Sequence, residues 1–130
     1  MVLTIRTDKP EAEIGLFYDT GQKRHYKKWL AHRQLAESIH KEILNLLQAE
    51  NISWQDIDGI VCFKGPGSFT GIRIGITIGN SLAYSLRVKI VGETGEDWIE
   101  QGLNNLANKK GLNSILPEYG RLPHITQPKK

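Results

Sequence analysis

The chain has 130 residues, of which 39% are hydrophobic and 24% charged, and this balance predicts one soluble domain with a modest core. The single cysteine, Cys62, excludes an internal disulfide and a cysteine-rich zinc site, and a formal net charge of +3 does not favour a strongly basic nucleic-acid-binding protein. Because the chain contains no run of about 18 apolar residues and does not start like a signal peptide, we expect a cytoplasmic protein without a membrane helix.

The first thirty residues predict three strands. Val2 to Arg6 is short and rich in β-branched residues, and Ala12 to Tyr18 has the same character. After a turn at Asp19–Gln22, the alternating segment Lys23 to Leu30 predicts the third strand. Its many polar residues favour either a position at the edge of a sheet or one solvated face.

The spacing of apolar residues then changes to that of a helix. Between Gln34 and Glu50 these residues recur at steps of three and four, which predicts an amphipathic helix. A nearly continuous apolar run from Ile57 to Phe63 predicts a strand buried on both faces. The sharp break at Lys64–Ser68 separates this strand from another helical pattern over residues 69–86.

The last third of the chain predicts a buried strand over 88–91 and a helix over 95–108. Residues 109–130 are rich in Gly, Asn and Pro, so we expect an irregular tail, partly docked through Leu112, Ile115, Leu116, Tyr119 and Leu122. Three strands followed by alternating helices and strands predict an α/β fold, with helices packed on a mixed sheet in the RNase H/actin-like order. The expected organisation is therefore one lobe, residues 1–108, and the tail.

The turn after the buried strand has three competing interpretations. A Walker-type phosphate loop requires a lysine after its second glycine, but Ile72 follows Gly71. A dinucleotide fingerprint would use Gly65, Gly67 and Gly71, but it normally lies in the first βα unit of a domain. The third interpretation is a tight turn that starts a packing helix with Ser68 as its N-cap.

Small residues line one face of the helix that follows this turn. Gly71, Gly75, Gly79 and Ala83 recur every four residues. Each glycine inside a helix lowers its stability by roughly 0.5–1 kcal/mol relative to alanine, so close packing on this face must offset the loss. Two explanations stay open, namely close packing on the domain's own sheet or first helix, and packing against a helix of a partner.

The run from Gly65 to Gly75, GPGSFTGIRIG, resembles the signature of the TsaB (YeaZ) family. The segment from Leu116 to Lys130 is similar to the C-terminal ending of some members. The resemblance implies an actin-like (ASKHA) lobe and a non-catalytic dimerisation subunit that binds TsaD, the catalytic subunit in threonylcarbamoyl-adenosine modification of tRNA. It also implies a TsaE-like ATPase as a further partner, indirect contact with tRNA and no cofactor, while a homodimer is an alternative when the chain is alone.

By position, the resemblance places the helix that starts near Ser68 at the dimer interface, beside the first helix. The residues expected there are Phe69, Gly71, Ile72, Gly75, Ile76, Gly79, Asn80 and Ala83. The same helix start is also a candidate contact for an anion or a nucleotide, because free backbone amides at a helix N-terminus attract negative charge. That candidate site consists of Gly65, Gly67, Ser68 and Arg73.

The chain departs from the family pattern in two places. Members typically begin with a strand that ends in Asp-Thr, whereas Arg6-Thr7 stands here, and only about forty residues follow Val91 where most relatives carry a second lobe. A degenerate RNase H-like nuclease or a nucleotide-binding phosphotransferase is the alternative function, but both require the first-strand carboxylate that Arg6 replaces. We therefore predict no enzymatic activity, no catalytic residue and no metal site.

The remaining reactive residues form no recognised motif. The four histidines, His25, His32, His40 and His124, do not match a His-Glu-x-x-His pattern. Cys62 ends an apolar strand, which favours a buried structural thiol over a nucleophile. A third class of function is a plain tRNA-binding module, for which the basic end of the tail is the candidate element.

Overall fold

The structure is a computed structural model that describes residues 1–31 and 34–117 of the chain. Five strands form one mixed sheet, and three helices pack on it, which confirms the predicted α/β architecture. The elements in chain order are β1 (Val2–Arg6), β2 (Glu11–Phe17), β3 (Lys23–Leu30), α1 (Leu35–Ala49), β4 (Gly59–Phe63), α2 (Phe69–Leu86), β5 (Lys89–Glu93) and α3 (Trp98–Ala107).

The sheet has the order β3-β2-β1-β4-β5, with β1 at its centre. β1 pairs antiparallel with β2, where Ile5 lies opposite Ile14, and parallel with β4, where Leu3 lies opposite Ile60. The antiparallel β2–β3 hairpin places the polar strand β3 at one edge of the sheet, the first of the two arrangements that its sequence favours. β5 forms the other edge and pairs parallel with β4.

The core has two parts because successive residues of a strand point to opposite faces. The larger part joins α1 and α2 to one face of the sheet, with Leu3, Ile5, Ile39 and Ile72 each at most 1% exposed. We call this the α1–α2 face. On the opposite face, α3 packs on β4 and β5 through a smaller cluster that contains Val2, Val61, Phe63, Val91 and Trp98, and we call this the α3 face.

Several boundaries differ from the sequence prediction. The residues before β4 form a 3₁₀ turn, Trp54–Asp56, and the strand starts at Gly59 instead of Ile57. The turn is stabilised because the backbone N–H of Ser53 donates to the Asp56 carboxylate at 3.0 Å. β5 extends to Glu93, two residues beyond the prediction, because its register with β4 continues to the end of that strand.

The start of the predicted irregular tail is partly regular. Leu112 forms an antiparallel bridge with Ile90 of β5, and Ile115 is buried, as expected for a docked residue. Leu112 docks through this backbone pairing, while its side chain is 55% exposed and that of Leu116 is 82% exposed, so neither of these two side chains is buried. Tyr119 and Leu122 lie outside the described residues.

Across residues 1–31 and 34–117, no helix has the length and apolar character needed to cross a membrane.

Candidate functional site

The turn between β4 and α2 is held against the end of β1. Ser68 is the N-cap of α2, as predicted, and its Oγ accepts a hydrogen bond from the backbone N–H of Gly71 at 3.4 Å. Gly65 has a φ of 113°, a conformation that glycine adopts without strain. A Cβ at Gly67 would lie 2.7 Å from the Cβ of Asp8, so the turn packs this closely only with glycine there.

The glycines of α2 allow the helix to approach the strands closely. The Thr7 hydroxyl, just after β1, donates a hydrogen bond to the carbonyl oxygen of Gly71 at 2.7 Å. A Cβ at Gly75 would overlap this Thr7 hydroxyl, and a Cβ at Gly79 would lie 2.5 Å from Cys62 Sγ. Of the two explanations for the small residues, the structure therefore supports packing on the domain's own sheet.

This packing limits how much of the predicted interface is accessible in the single chain. The eight residues expected there differ in accessibility. Phe69 is 52% exposed, and Gly71 and Asn80 are half-buried. The other five are buried inside the chain, where the sheet and α1 cover them and leave no free surface for a partner: Ile72, Gly75, Ile76, Gly79 and Ala83.

A groove runs between α1 and α2 on the outer side of these helices. Its wider end has a volume of about 800 Å³ and lies between the residues after β1, the end of β3 and the first turns of both helices. Its narrower end, about 310 Å³, continues along α2 and shares Thr70 and Ile74 with the wider end. Leu30, 67% exposed, lies at the wider end, and the exposed Phe69 stands in the chain between two lining residues, Ser68 and Thr70. We call this the α1–α2 groove; its principal lining residues are Leu30, Thr70, Arg73, Ile74, Thr77 and Ile78.

The residues predicted to contact an anion already have partners within the chain. The Ser68 hydroxyl caps α2, and the Arg73 guanidinium lies 5.2 Å from the ring centroid of Phe69, at cation–π distance. The carboxylate of Asp8 lies beside the turn, with Oδ2 3.3 Å from the place of a Cβ at Gly67. This carboxylate is paired with Arg6, so it adds little net charge beside the helix start, and the anion contact stays a prediction.

Arg6 occupies the end of β1, where the family pattern has aspartate. Its guanidinium makes two hydrogen bonds to Asp8, of 2.8 and 3.1 Å, and lies 3.9 Å from the centroid of the Phe63 ring. Burial alone would lower the pKa of Arg6, but the hydrogen bond and charge of Asp8 outweigh it and raise that pKa. The end of β1 therefore carries a permanent cation paired with a carboxylate.

The other candidate reactive residues are engaged in structural contacts. Burial raises the pKa of the Cys62 thiol to about 12, which keeps it protonated and inert, in agreement with the structural interpretation. His25 bonds Glu50 at 2.6 Å, and the His40 ring lies 5.8 Å from that of Trp54. His32 and His124 lie outside the described residues. In the described part of the chain, no three His, Cys, Asp or Glu residues are grouped so as to hold a metal ion.

Comparison with known proteins identifies similar sequences. A family model described as TsaD, tRNA N6-adenosine threonylcarbamoyltransferase, matches residues 29–119. The tRNA threonylcarbamoyladenosine biosynthesis protein TsaB of Bacillus subtilis (strain 168) is 48% identical over 89 residues, which are 68% of this chain and 38% of that protein. TsaB of Escherichia coli (strain K12) is 31% identical over 91 residues, 70% of this chain and 38% of that protein. The chain thus spans about 38% of the length of these curated relatives.

The fold is similar to that of solved structures with the YeaZ name. YeaZ from Pseudomonas aeruginosa superposes with a TM-score of 0.67 and 23% sequence identity, over 78% of this chain and 49% of that one. At this level of identity the likeness concerns the fold alone. Together with the family match, it confirms the predicted single lobe of the RNase H/actin-like type.

Proposed function

The chain belongs to the TsaB (YeaZ) family, and from this premise we propose that it is a non-catalytic interaction subunit in threonylcarbamoyl-adenosine modification of tRNA. In this proposal the chain binds a TsaD-like catalytic subunit and contacts tRNA only through that subunit. Its family signature, at residues 65–75, forms the turn and the first turns of α2, beside the groove that we assign to the partner.

The α1–α2 groove carries the proposal. Its floor and rim are largely apolar, and Leu30 and Phe69 each expose more than half of their surface. Exposed apolar surface of this kind is typical of protein–protein contact sites, because its transfer out of water stabilises a complex. Arg73, at the narrower end, supplies a charge for orientation of the partner.

The site residues proposed for the partner differ from those expected from the sequence. Phe69 is kept from the expected set, because it is exposed and its chain neighbours Ser68 and Thr70 line the groove. The five buried residues of α2 are replaced by residues on the outer side of the helix and at the end of β3. The proposed contact set is Leu30, Phe69, Thr70, Arg73, Ile74 and Ile78.

The pairing of Arg6 with Asp8 supports a role without catalysis. A nuclease or phosphotransferase of this fold requires carboxylates that hold cations at the end of the first strand. Here that position is occupied by a guanidinium, which repels cations and neutralises the nearest carboxylate. The alternative enzymatic functions are therefore not favoured by the arrangement of this chain's residues.

The test is complex formation with the TsaD-like protein of the same organism. We expect a complex of defined mass by gel filtration with light scattering, and an Ile74→Asp variant should bind at least about tenfold more weakly, since a charge would be buried against apolar surface. Tyr84→Asp is the matched control, because Tyr84 lies on the same helix but is 85% exposed and outside the groove.

Two results would contradict the proposal. One is the absence of a complex at micromolar concentration when circular dichroism shows both proteins folded, and the other is equal affinity of the Ile74→Asp and unmodified chains. ATP turnover or metal-dependent RNA cleavage by the purified chain would instead support the enzymatic alternative. Addition of a TsaE-like ATPase to the preformed complex then tests the further partner.

A further inference from the structure

After α3 the chain turns back and runs along the outer edge of β5. The backbone N–H of Ile90 donates to the carbonyl oxygen of Leu112 at 2.9 Å, and the N–H of Leu112 donates to the carbonyl oxygen of Ile90 at 2.8 Å. Leu112 therefore pairs with the edge of the sheet through a single bridge, and we call residues 111–117, which contain it, the strap.

Asn80 binds the strap from the side of α2. Its side-chain Nδ2 donates a hydrogen bond of 3.0 Å to the carbonyl oxygen of Ile115, and its Oδ1 accepts one of 3.0 Å from the N–H of the same residue. An amide that pairs with both polar groups of one peptide residue recognises an extended backbone, much as a neighbouring strand does. This contact gives Asn80 a function inside the chain.

A single side chain of the strap enters the lobe. Ile115 is 7% exposed, and its Cδ1 lies 2.9 Å from the place that a Cβ at Gly92 would occupy. The next residue, Leu116, is 82% exposed. The site thus binds the backbone through hydrogen bonds from β5 and Asn80. The space beside Gly92 holds one aliphatic side chain.

We propose that the β5 edge, Gly92 and Asn80 form a binding site for an extended peptide segment with one aliphatic side chain, which the chain fills with its own strap. An open strand edge can pair with other chains, so a strap in this site prevents such pairing at the β5 edge. Release of the strap exposes a site of the strand-addition type to an aliphatic segment of another protein. The α1–α2 groove shares no lining residue with this site, so the proposal is independent of the proposed function.

Hydrogen exchange of the full chain tests the site. An Ile115→Ser variant should release the strap, and the amide of Ile90 should then exchange at least about tenfold faster, while amides that join β1 to β2 keep their protection. Leu116→Ser is the matched control and should leave the exchange of Ile90 unchanged. Unchanged exchange of Ile90 in the Ile115→Ser variant would overturn the proposal.

Addition of a peptide then distinguishes a binding site from a local packing defect. A synthetic peptide of residues 111–117, in large molar excess, should restore the protection of Ile90 in the full-length Ile115→Ser chain. A peptide that itself carries Ile115→Ser should not restore it, and neither should the first peptide when the chain also carries Asn80→Ala. Failure of the unmodified peptide to restore protection would overturn the proposal.

A second variant covers the case in which Ile115→Ser unfolds the whole lobe, which the loss of β1–β2 protection would reveal. Asn80→Ala removes the two amide hydrogen bonds and leaves the buried isoleucine in place. We expect faster exchange confined to Ile90, Leu112 and Ile115, whose own amide loses its acceptor, and protection equal to that of the unmodified chain would contradict the assignment.

Discussion

The two faces of the sheet are completed by different means. On the α1–α2 face, aliphatic side chains of the strands meet two helices in one continuous core. On the α3 face, the single helix packs on β4 and β5, and the region over β1 and β2 carries Thr4, Arg6, Glu13 and Tyr26. Arg6 pairs with Asp8, and the Tyr26 hydroxyl donates to Glu13 at 2.6 Å.

The difference follows from the width of a helix. A helix is about 10 Å across and strands lie about 4.8 Å apart, so one helix covers roughly two strands and two helices cover roughly four of the five. The α1–α2 face is therefore complete with aliphatic residues and leaves the outer sides of its helices free. The α3 face has no second helix in the described part of the chain, and polar groups take the place of aliphatic ones there. Those of Arg6, Glu13 and Tyr26 are hydrogen-bonded, whereas the Thr4 hydroxyl is buried without a hydrogen-bond partner among the described residues.

The largest expected effect comes from breaking the contact between α2 and β1. We expect Gly75→Leu to lower the free energy of unfolding by about 3 kcal/mol, because the added side chain has no room beside Thr7. Thr77→Leu, on the exposed side of the same helix, is the control and should change it by no more than about 0.5 kcal/mol. Urea denaturation measures both, and equal stabilities would mean that the close approach of α2 is not required.

The polar region of the α3 face is tested by removal of its cation. We expect Arg6→Ala to lower the free energy of unfolding by about 2 kcal/mol, since Asp8 stays largely buried without its partner. Arg6→Lys keeps the charge but loses the paired hydrogen bonds, so an intermediate loss is expected. If the Arg6→Ala/Asp8→Ala double variant is no more stable than Arg6→Ala, the ion pair does not explain the effect.

Tyr26 tests the same region through its pH dependence. Burial, followed by the hydrogen bond to Glu13, raises the pKa of Tyr26 above its ordinary value of 10.0. The folded state therefore holds this proton more tightly, and the resulting stability is complete below about pH 10 and declines as the pH rises above it. We expect Tyr26→Phe to cost about 1 kcal/mol at neutral pH and to flatten the alkaline decline. An unchanged alkaline decline in the variant would contradict this assignment.

The smallest expected effect lies at the contact between β3 and the end of α1. The hydrogen bond from His25, followed by that from Arg24, lowers the pKa of Glu50 below its ordinary value of 4.5. Its contribution to stability is therefore present above pH 4.5 and is lost as the pH falls through the lowered pKa. Glu50→Gln should be slightly less stable than the unmodified chain at neutral pH and equal to it in acid. Glu11→Gln, at an exposed position, should show no such convergence.

The elements were predictable because each depends on local patterns. The period of two in β1 and the steps of three and four in α1 follow from backbone geometry, so the sequence predicts both elements within one or two residues. The N-cap at Ser68 was predictable for the same reason. The position of β5 at an edge depends on pairing between strands that are distant in the sequence, so no local pattern predicts it.

The candidate site was less predictable because it depends on which side of α2 the sheet covers. Periodicity shows that Gly71, Gly75 and Gly79 share a face, but it does not show what packs on that face. Leu30 was overlooked, although an apolar residue at the end of a polar strand is a recognisable signal of an exposed contact. The sequence predicts Asn80 at an interface with another protein, which stays a prediction, and it does not show the two hydrogen bonds of Asn80 to Ile115.

The sequence by itself determined the order of strands and helices, the N-cap of α2 and the family, because caps, periodicity and the motif at residues 65–75 are local properties. Only the tertiary structure decided that the glycine face belongs to the core, that Arg6 is paired with Asp8, and that Leu112 pairs with Ile90 at the edge of the sheet. Each of these three features is a contact between residues of different elements or loops. Their contacts exist only once hydrophobic burial has brought those segments together.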